Sequence, residues 1–264
     1  MIEIQRLEKT FTQPGGEKVP ALRSIDLVIP TGQFLTVIGT NGSGKSTLLN
    51  AIAGSFFPDG GSITIDGIDV TAKPEFKRAA LIGRVFQDPF KGTCPSMTVA
   101  ENLRMAELRG KRRGLRVGLS RSALERFHAL LSGLGMRLET RLRATMGTLS
   151  GGQRQAVTLL MATLQRPKLL LLDEHTAALD PRAADQIIHV TNQVVREHGL
   201  TTMMVTHSME QAVEQGDRTI MVHRGEILAD LSGTERAELD AEDLVKRFAD
   251  LRYTVEFAVA SRPA

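Results

Sequence analysis

Nine consecutive residues, Gly39-Thr40-Asn41-Gly42-Ser43-Gly44-Lys45-Ser46-Thr47, interleave glycine with hydroxyl side chains and carry one lysine near their end. Glycines without a Cβ let backbone N–H groups turn inward around an anion, and a helix starting behind them presents its positive end to the same anion. The chemistry expected is phosphate binding. In a nucleoside triphosphate Lys45 would reach the β and γ phosphates, and the Ser46 hydroxyl would ligate Mg²⁺.

Two further groups fit the same chemistry. Four leucines at 169–172 run directly into Asp173-Glu174. An isolated acidic pair is ordinarily a helix N-cap or a surface acid. At the end of an aliphatic strand and downstream of a phosphate loop, it places Asp173 to hold Mg²⁺ through water and Glu174 to polarise the attacking water. Ser150-Gly151-Gly152 opens an apolar-periodic helix at 154–164, so its hydroxyl, amides and helix dipole form a second anion site.

The elements that must hold these groups are readable in outline. Alternation at Ile2 and Ile4, then at Ile25, Leu27 and Ile29, predicts half-buried strands, and Ile63 and Ile65 before Asp66-Gly67 predict a hairpin. The continuous apolar run 34–38 reads as a strand buried on both faces that feeds the glycine loop. Leu48, Leu49 and Ile52 then mark a helix that Gly54 can end. From about 88 to 167 the pattern turns helical, with Val157, Leu160, Met161 and Leu164 at helix spacing. Buried-strand signals return at 169–172 and 203–205, separated by a helical stretch from about 181 to 198. A hairpin across Arg224-Gly225 and an amphipathic helix through Leu244, Phe248 and Leu251 follow, with a loose tail from about Ala258.

Composition narrows the class. The chain has 264 residues, 42% hydrophobic and 24% charged, which suits a globular core with one or two insertions. No apolar run approaches the roughly 18 residues of a membrane helix. The start lacks the pattern of a signal peptide and Cys94 has no intrachain partner, so the expectation is a cytoplasmic protein. Net charge is +3, yet residues 104–126 carry eight basic side chains (Arg104, Arg109, Lys111, Arg112, Arg113, Arg116, Arg121, Arg126) against Glu107 and Glu125, a local charge of +6. That segment is either a solvated face or a surface near anionic headgroups or an acidic partner. No nucleic-acid partner is expected, since one Tyr and no Trp leave little for bases to stack on.

The glycine loop resembles the phosphate-binding loop of P-loop NTPases, and Leu149-Ser150-Gly151-Gly152-Gln153 resembles the signature of ABC-type ATPases. The resemblance covers about residues 1–230. It implies an α/β P-loop core at 1–87 and 168–230 with an antiparallel β-subdomain, a helical subdomain inserted at about 88–167, and a C-terminal helix and tail at 231–264. On that basis Gln87 looks like the glutamine that senses Mg²⁺ and the γ-phosphate, and His207 like the switch histidine on the γ-phosphate. Ala178-Leu179-Asp180 resembles the loop that crosses to a partner subunit, and Phe11 matches the aromatic that stacks on adenine, with Val19 a second contact. Phe11 is otherwise simple core. Two positions depart from the family pattern: His175 stands where Pro is usual, and Ala177-Ala178 where Ser-Ala is commoner. His175 either tunes Glu174 or is a tolerated variant.

The family implies ATP and Mg²⁺ as ligands. It also implies a homodimer with two ATP molecules sandwiched head-to-tail, each facing Ser150, Gly151, Gly152 and Gln153 of the other chain. One cassette without heptad runs fits a transporter subunit with separate membrane permease partners, peripheral on the inner face of the cell membrane. Ribosome- and DNA-acting members usually carry two cassettes or long coiled coil, and a metabolic P-loop kinase or GTPase has no use for the signature. Residues 87–103 and 173–180 resemble a bacterial subgroup serving tryptophan or tyrosine uptake, working with a permease and a substrate-binding lipoprotein. The alternatives are an exporter, a lipid- or lipoprotein-handling complex, or a non-transport ABC ATPase.

Overall fold

The structure, a computed structural model, describes residues 1–111 and 118–260, with Arg252 and residues 254–260 described in backbone only. In chain order it opens with β1 (Ile2–Thr12), β2 (Lys18–Ile29), β3 (Phe34–Gly39), α1 (Lys45–Ala53), β4 (Gly60–Ile65) and β5 (Ile68–Asp69). It continues through α2 (Glu75–Arg78), β6 (Ile82–Val85), α3 (Val99–Glu107), α4 (Arg121–Ser132), α5 (Gly151–Thr163), β7 (Leu169–Asp173) and α6 (Pro181–His198). It closes with β8 (Thr202–Val205), α7 (Met209–Gln215), β9 (Arg218–His223), β10 (Glu226–Ser232), α8 (Gly233–Ala237) and α9 (Ala241–Ala260). These fall into two compact units, Met1–Pro74 with Thr201–Ala264, and Glu75–Leu200.

In the first unit, β2, β1, β4 and β5 form an antiparallel sheet in that order. Ile2 and Ile4 pair with Ile29 and Leu27, and Ile2 also with Ile65, so one face is a continuous apolar layer. Asp66 and Gly67, at φ 51° and 76°, make the tight turn between β4 and β5. The same unit holds β10, β9, β3 and β8 side by side. Here β3 is parallel to both neighbours, Val37 lying opposite Val205 on β8 and Ile220 on β9. Every residue of β3 is buried, as a strand covered on both faces requires. Helix α9 packs Leu244 and Phe248 against Ile38, Met221 and Leu231.

The second unit pairs β6 with β7 in parallel, Val85 opposite Leu172. Helix α5 is buried on almost every side, which explains why its apolar stripe is broad. Helices α3 and α4 open with Thr98 and Ser120, whose hydroxyls cap Glu101 N and Ala123 N.

Three local features go beyond what the sequence patterns indicate. Strand β1 reaches Thr12, because register shifts after Ile4 and Leu7 break the alternation that marks a strand. Strand β6 has four residues and includes Gly83 and Arg84, too short and too polar to announce itself. Helix α9 continues through Ala260, past the expected start of a loose tail, and residues 261–264 lie outside the described residues.

Candidate functional site

The glycine loop begins where β3 ends. Lys45 is buried, and its Nζ donates to the carbonyls of Gly39 and Thr40 at 2.8 and 2.9 Å. A Cβ at Gly39 would lie 2.2 Å from Val222 O, and one at Gly44, whose φ is 109°, 2.6 Å from Ala21 O. No other residue fits either place. Gly44 caps α1 without a side chain, so the N–H groups of the first turn keep their affinity for an anion. Ser43 Oγ is buried with no protein partner among the described residues, and Ser46, in the first turn of α1, is exposed. A cradle with no room for Cβ atoms, a buried ammonium and an orphan hydroxyl are a donor set matched to a triphosphate.

His207 follows β8 in the same unit. Thr206 N donates to Val37 O at 3.2 Å, so the chain leaves β8 at the edge where β3 leaves through Gly39. His207 is exposed there, between Thr206, bonded to Gln211 Oε1, and Ser208, whose hydroxyl caps α7. Phe11 and Val19 face each other across β1 and β2, and both are exposed. Phe11 is 41% exposed and meets Phe56 edge-on at 5.3 Å, which rules out the core alternative and leaves ring area for a ligand.

In the second unit β7 delivers Asp173, and Glu174 after it takes a left-handed backbone at φ 45°. Such a conformation costs a non-glycine residue on the order of 1 kcal/mol and persists where its surroundings over-determine it. Gln87 Nε2 donates to Glu174 Oε2 at 3.1 Å, and Arg84 Nη2 to Asp173 Oδ2 at 3.2 Å. Arg84 also stacks on Phe86 at 4.4 Å. His175 is turned into the interior, 3.2 Å from Thr191 Oγ1, and burial pushes its pKa down to about 4. A neutral ring held by α6 is a packing element, in keeping with a tolerated variant.

Ser150 caps α5. Its Oγ accepts from Gln153 N, and Gln153 Oε1 accepts from Ser150 N, both at 3.3 Å, so the signature forms a capping box. Gly152 is required by packing as well, since a Cβ there would lie 2.9 Å from Ala183 Cβ on α6. Gly151 lies against Leu179, and Asp180 caps α6 through Ala183 N at 3.1 Å. The signature and the Ala178-Leu179-Asp180 loop therefore touch within one chain.

Sequence reasoning missed Arg84, Arg154 and Gln155. Arg154 is buried, donates to Met146 O, Gly147 O and Leu149 O, and lies 3.6 Å from the Phe90 ring centre. Gln155 Nε2 donates to Phe86 O and His175 O. For Arg154 and Gln155 the available signal was a charged and an amide side chain just ahead of the helix's apolar run, whereas Arg84 in the four-residue β6 offered none. In the basic segment, Arg104 and Arg126 both pair with Glu107, Arg121 with Glu125, and Arg109 donates to Ala162 O. Most of its described charge is thus engaged inside the helical region, while Arg112, Arg113 and Arg116 lie outside the described residues. Phe90 is exposed, whereas Met97 is half-buried, its carbonyl taken by Met146 N. Among the described residues, no helix is long and apolar enough to cross a membrane.

A model of the ABC transporter family matches residues 22–177. The chain is 44% identical over 248 residues to the tyrosine transport ATP-binding protein of Clostridioides difficile, covering 94% of this chain and 98% of that protein. It is 35% identical over 256 residues to a methionine import ATP-binding protein of Pseudomonas putida, covering 94% and 72%. Among solved structures it superposes on the ATP-binding cassette MJ0796, in a dimeric post-hydrolysis state bound to ADP and phosphate. The TM-score there is 0.76 at 30% identity, over 88% of this chain and 98% of that one. A phosphate cradle closed around Lys45, a strand ending in paired acids and a capped signature helix agree with these likenesses, and the chain belongs to the ABC transporter family as an ATP-binding, ATP-hydrolysing subunit.

Proposed function

We propose that this subunit powers uptake of an aromatic amino acid through separate membrane permease subunits fed by a substrate-binding protein, working from the inner face of the membrane. The observation that carries the reading is the 44% identity, along nearly the whole of both chains, with a tyrosine transport ATP-binding protein. Likeness to methionine and sulfate/thiosulfate import ATP-binding proteins supports import as the direction.

Each residue takes a role that its surroundings support. Lys45 and the N–H groups of residues 39–47 hold the β and γ phosphates, and Phe11 with Val19 covers the adenine. Ser46 and Asp173 are oxygen donors of the kind Mg²⁺ uses alongside phosphate and water, and they would hold it together with Gln87. When bound, the metal neutralises charge developing on the phosphates. Glu174 orients and takes a proton from the attacking water, Gln87 holds that carboxylate, and His207 contacts the γ-phosphate. Ser150, Gly151, Gly152 and Gln153 face the nucleotide of a second copy of the chain, and Asp180 lies on the loop that crosses to it. The dimeric cassette MJ0796 supports a homodimer, and its head-to-tail arrangement is part of this proposal.

The test is reconstitution in vesicles with the permease and binding protein that co-purify with the chain. Tyrosine or tryptophan should stimulate ATP hydrolysis and accumulate inside. Stimulation by methionine or sulfate, with no response to aromatic amino acids, would overturn the substrate assignment and leave the ATPase intact.

A further inference from the structure

We infer that Gln155 is a positioning residue for hydrolysis: from inside α5, its one amide fixes the backbone beside Gln87 and the backbone beside Glu174, and so sets the bond between those two side chains. Gln155 is fully buried. Its Nε2 lies 3.0 Å from Phe86 O and 2.7 Å from His175 O. Both partners are carbonyl oxygens, so only the amide nitrogen can serve them, and its orientation follows from the network. Phe86 and His175 are the immediate chain neighbours of Gln87 and Glu174, which meet at 3.1 Å.

Two costs show what the amide is kept for. With Nε2 committed, Gln155 Oε1 is buried with no partner among the described residues. An unmet buried acceptor is expensive, and a methionine or leucine would fill similar space in this apolar helix without it. The second cost is the left-handed backbone of Glu174, which needs neighbours that hold it in place. A bond to the next carbonyl does so. Arg154, adjacent on the same helix, ties down the carbonyls of Met146, Gly147 and Leu149 that lead into Ser150. One helix segment thus anchors the approaches to Gln87, Glu174 and Ser150.

This rests on the proposed hydrolytic roles of Gln87 and Glu174, and the experiment separates the two claims. ATP turnover, KM and melting temperature are measured for the parent, Gln155→Met, Gln87→Ala, their double variant and Glu174→Gln. Gln155→Met should lower kcat by about tenfold or more with KM for ATP within about threefold of the parent. The double variant should be no slower than the slower single one, because both act through one bond. Multiplying losses, or a kcat within about twofold of the parent, would overturn the inference whatever the melting temperature does. A parent-like rate for Glu174→Gln would instead remove the acid from the mechanism. Should Gln155→Met and Gln155→Leu both fail to fold, the Gln155 side-chain amide resonances of otherwise intact protein decide: Gln87→Ala and Glu174→Gln should each shift them, and unmoved resonances in both refute the coupling.

Discussion

The Lys45 ammonium lies 2.8 Å from the Gly39 carbonyl, six residues back along its own loop. A buried cation is stable only when paired with acceptors, and here the acceptors are main-chain oxygens at the rim of the phosphate cradle. The lysine is therefore already desolvated and fixed where a triphosphate would meet it.

Lys45→Ala should weaken ATP binding by about 1.5 to 3 kcal/mol, the scale of hydrogen bonds to a charged group, or roughly 10- to 150-fold. Glu174→Gln should bind ATP as the parent does and hydrolyse it about a hundredfold or more slowly. Equilibrium nucleotide binding and phosphate release measured on both variants check the pair. Equal ATP affinity in Lys45→Ala and the parent would contradict the role given to the lysine.

With ATP and Mg²⁺ the Glu174→Gln protein should sediment as a dimer, and without nucleotide as a monomer. Mixing Lys45→Ala with Ser150→Arg chains should restore hydrolysis above either alone, since one intact composite site can form per heterodimer. Persistent monomer at high protein concentration and saturating ATP would refute the head-to-tail proposal.

Phe11 is exposed beside Val19 and is held edge-on by Phe56. Phe11→Ala should weaken ATP by about 0.5 to 1.5 kcal/mol and lower discrimination against nucleotides with smaller bases. Competition binding with ATP, GTP and CTP measures both. An unchanged ATP affinity would place the adenine elsewhere.

His175 links stability to pH. Its folded pKa, pushed down to about 4 by burial, lies below the ordinary 6.5, so the unfolded chain binds the extra proton first. Its contribution is complete above pH 6.5 and is lost as pH falls toward 4, by about 1.4 kcal/mol per pH unit within that window. Urea midpoints from pH 7 to 4.5 should fall more steeply for the parent than for His175→Gln. Parallel curves would mean that the imidazole is not held neutral.

Phe90 is half exposed, with Arg154 against its ring. If the segment after Gln87 docks on the permease, Phe90→Ala should reduce solute transported per ATP hydrolysed in reconstituted vesicles. Met97, half-buried, should matter through packing instead. An unchanged ratio for Phe90→Ala would place docking elsewhere.

The sequence by itself determined the local chemistry and the elements nearest to it. Residues 39–47 can serve little but phosphate, because their glycines and lysine act through backbone and charge at fixed short spacing, whatever lies far away. The same holds for the leucine run into Asp173-Glu174, for the helix behind Ser150-Gly151-Gly152, and for α6, whose cap Asp180 and first residue Pro181 are local signals. Only the tertiary structure decided which polar residues serve those groups. Arg84 on Asp173, Gln87 on Glu174 and Gln155 on the carbonyls of Phe86 and His175 join positions 20 to 89 residues apart. Long-range pairing leaves no periodicity in the chain, so a buried Gln in an apolar helix and a lone Arg in a short strand read as defects until the fold supplies their partners. His175 shows the same limit: its departure from the family pattern is visible in the sequence, but its neutrality follows from burial beside Thr191, which only the packing of α6 creates.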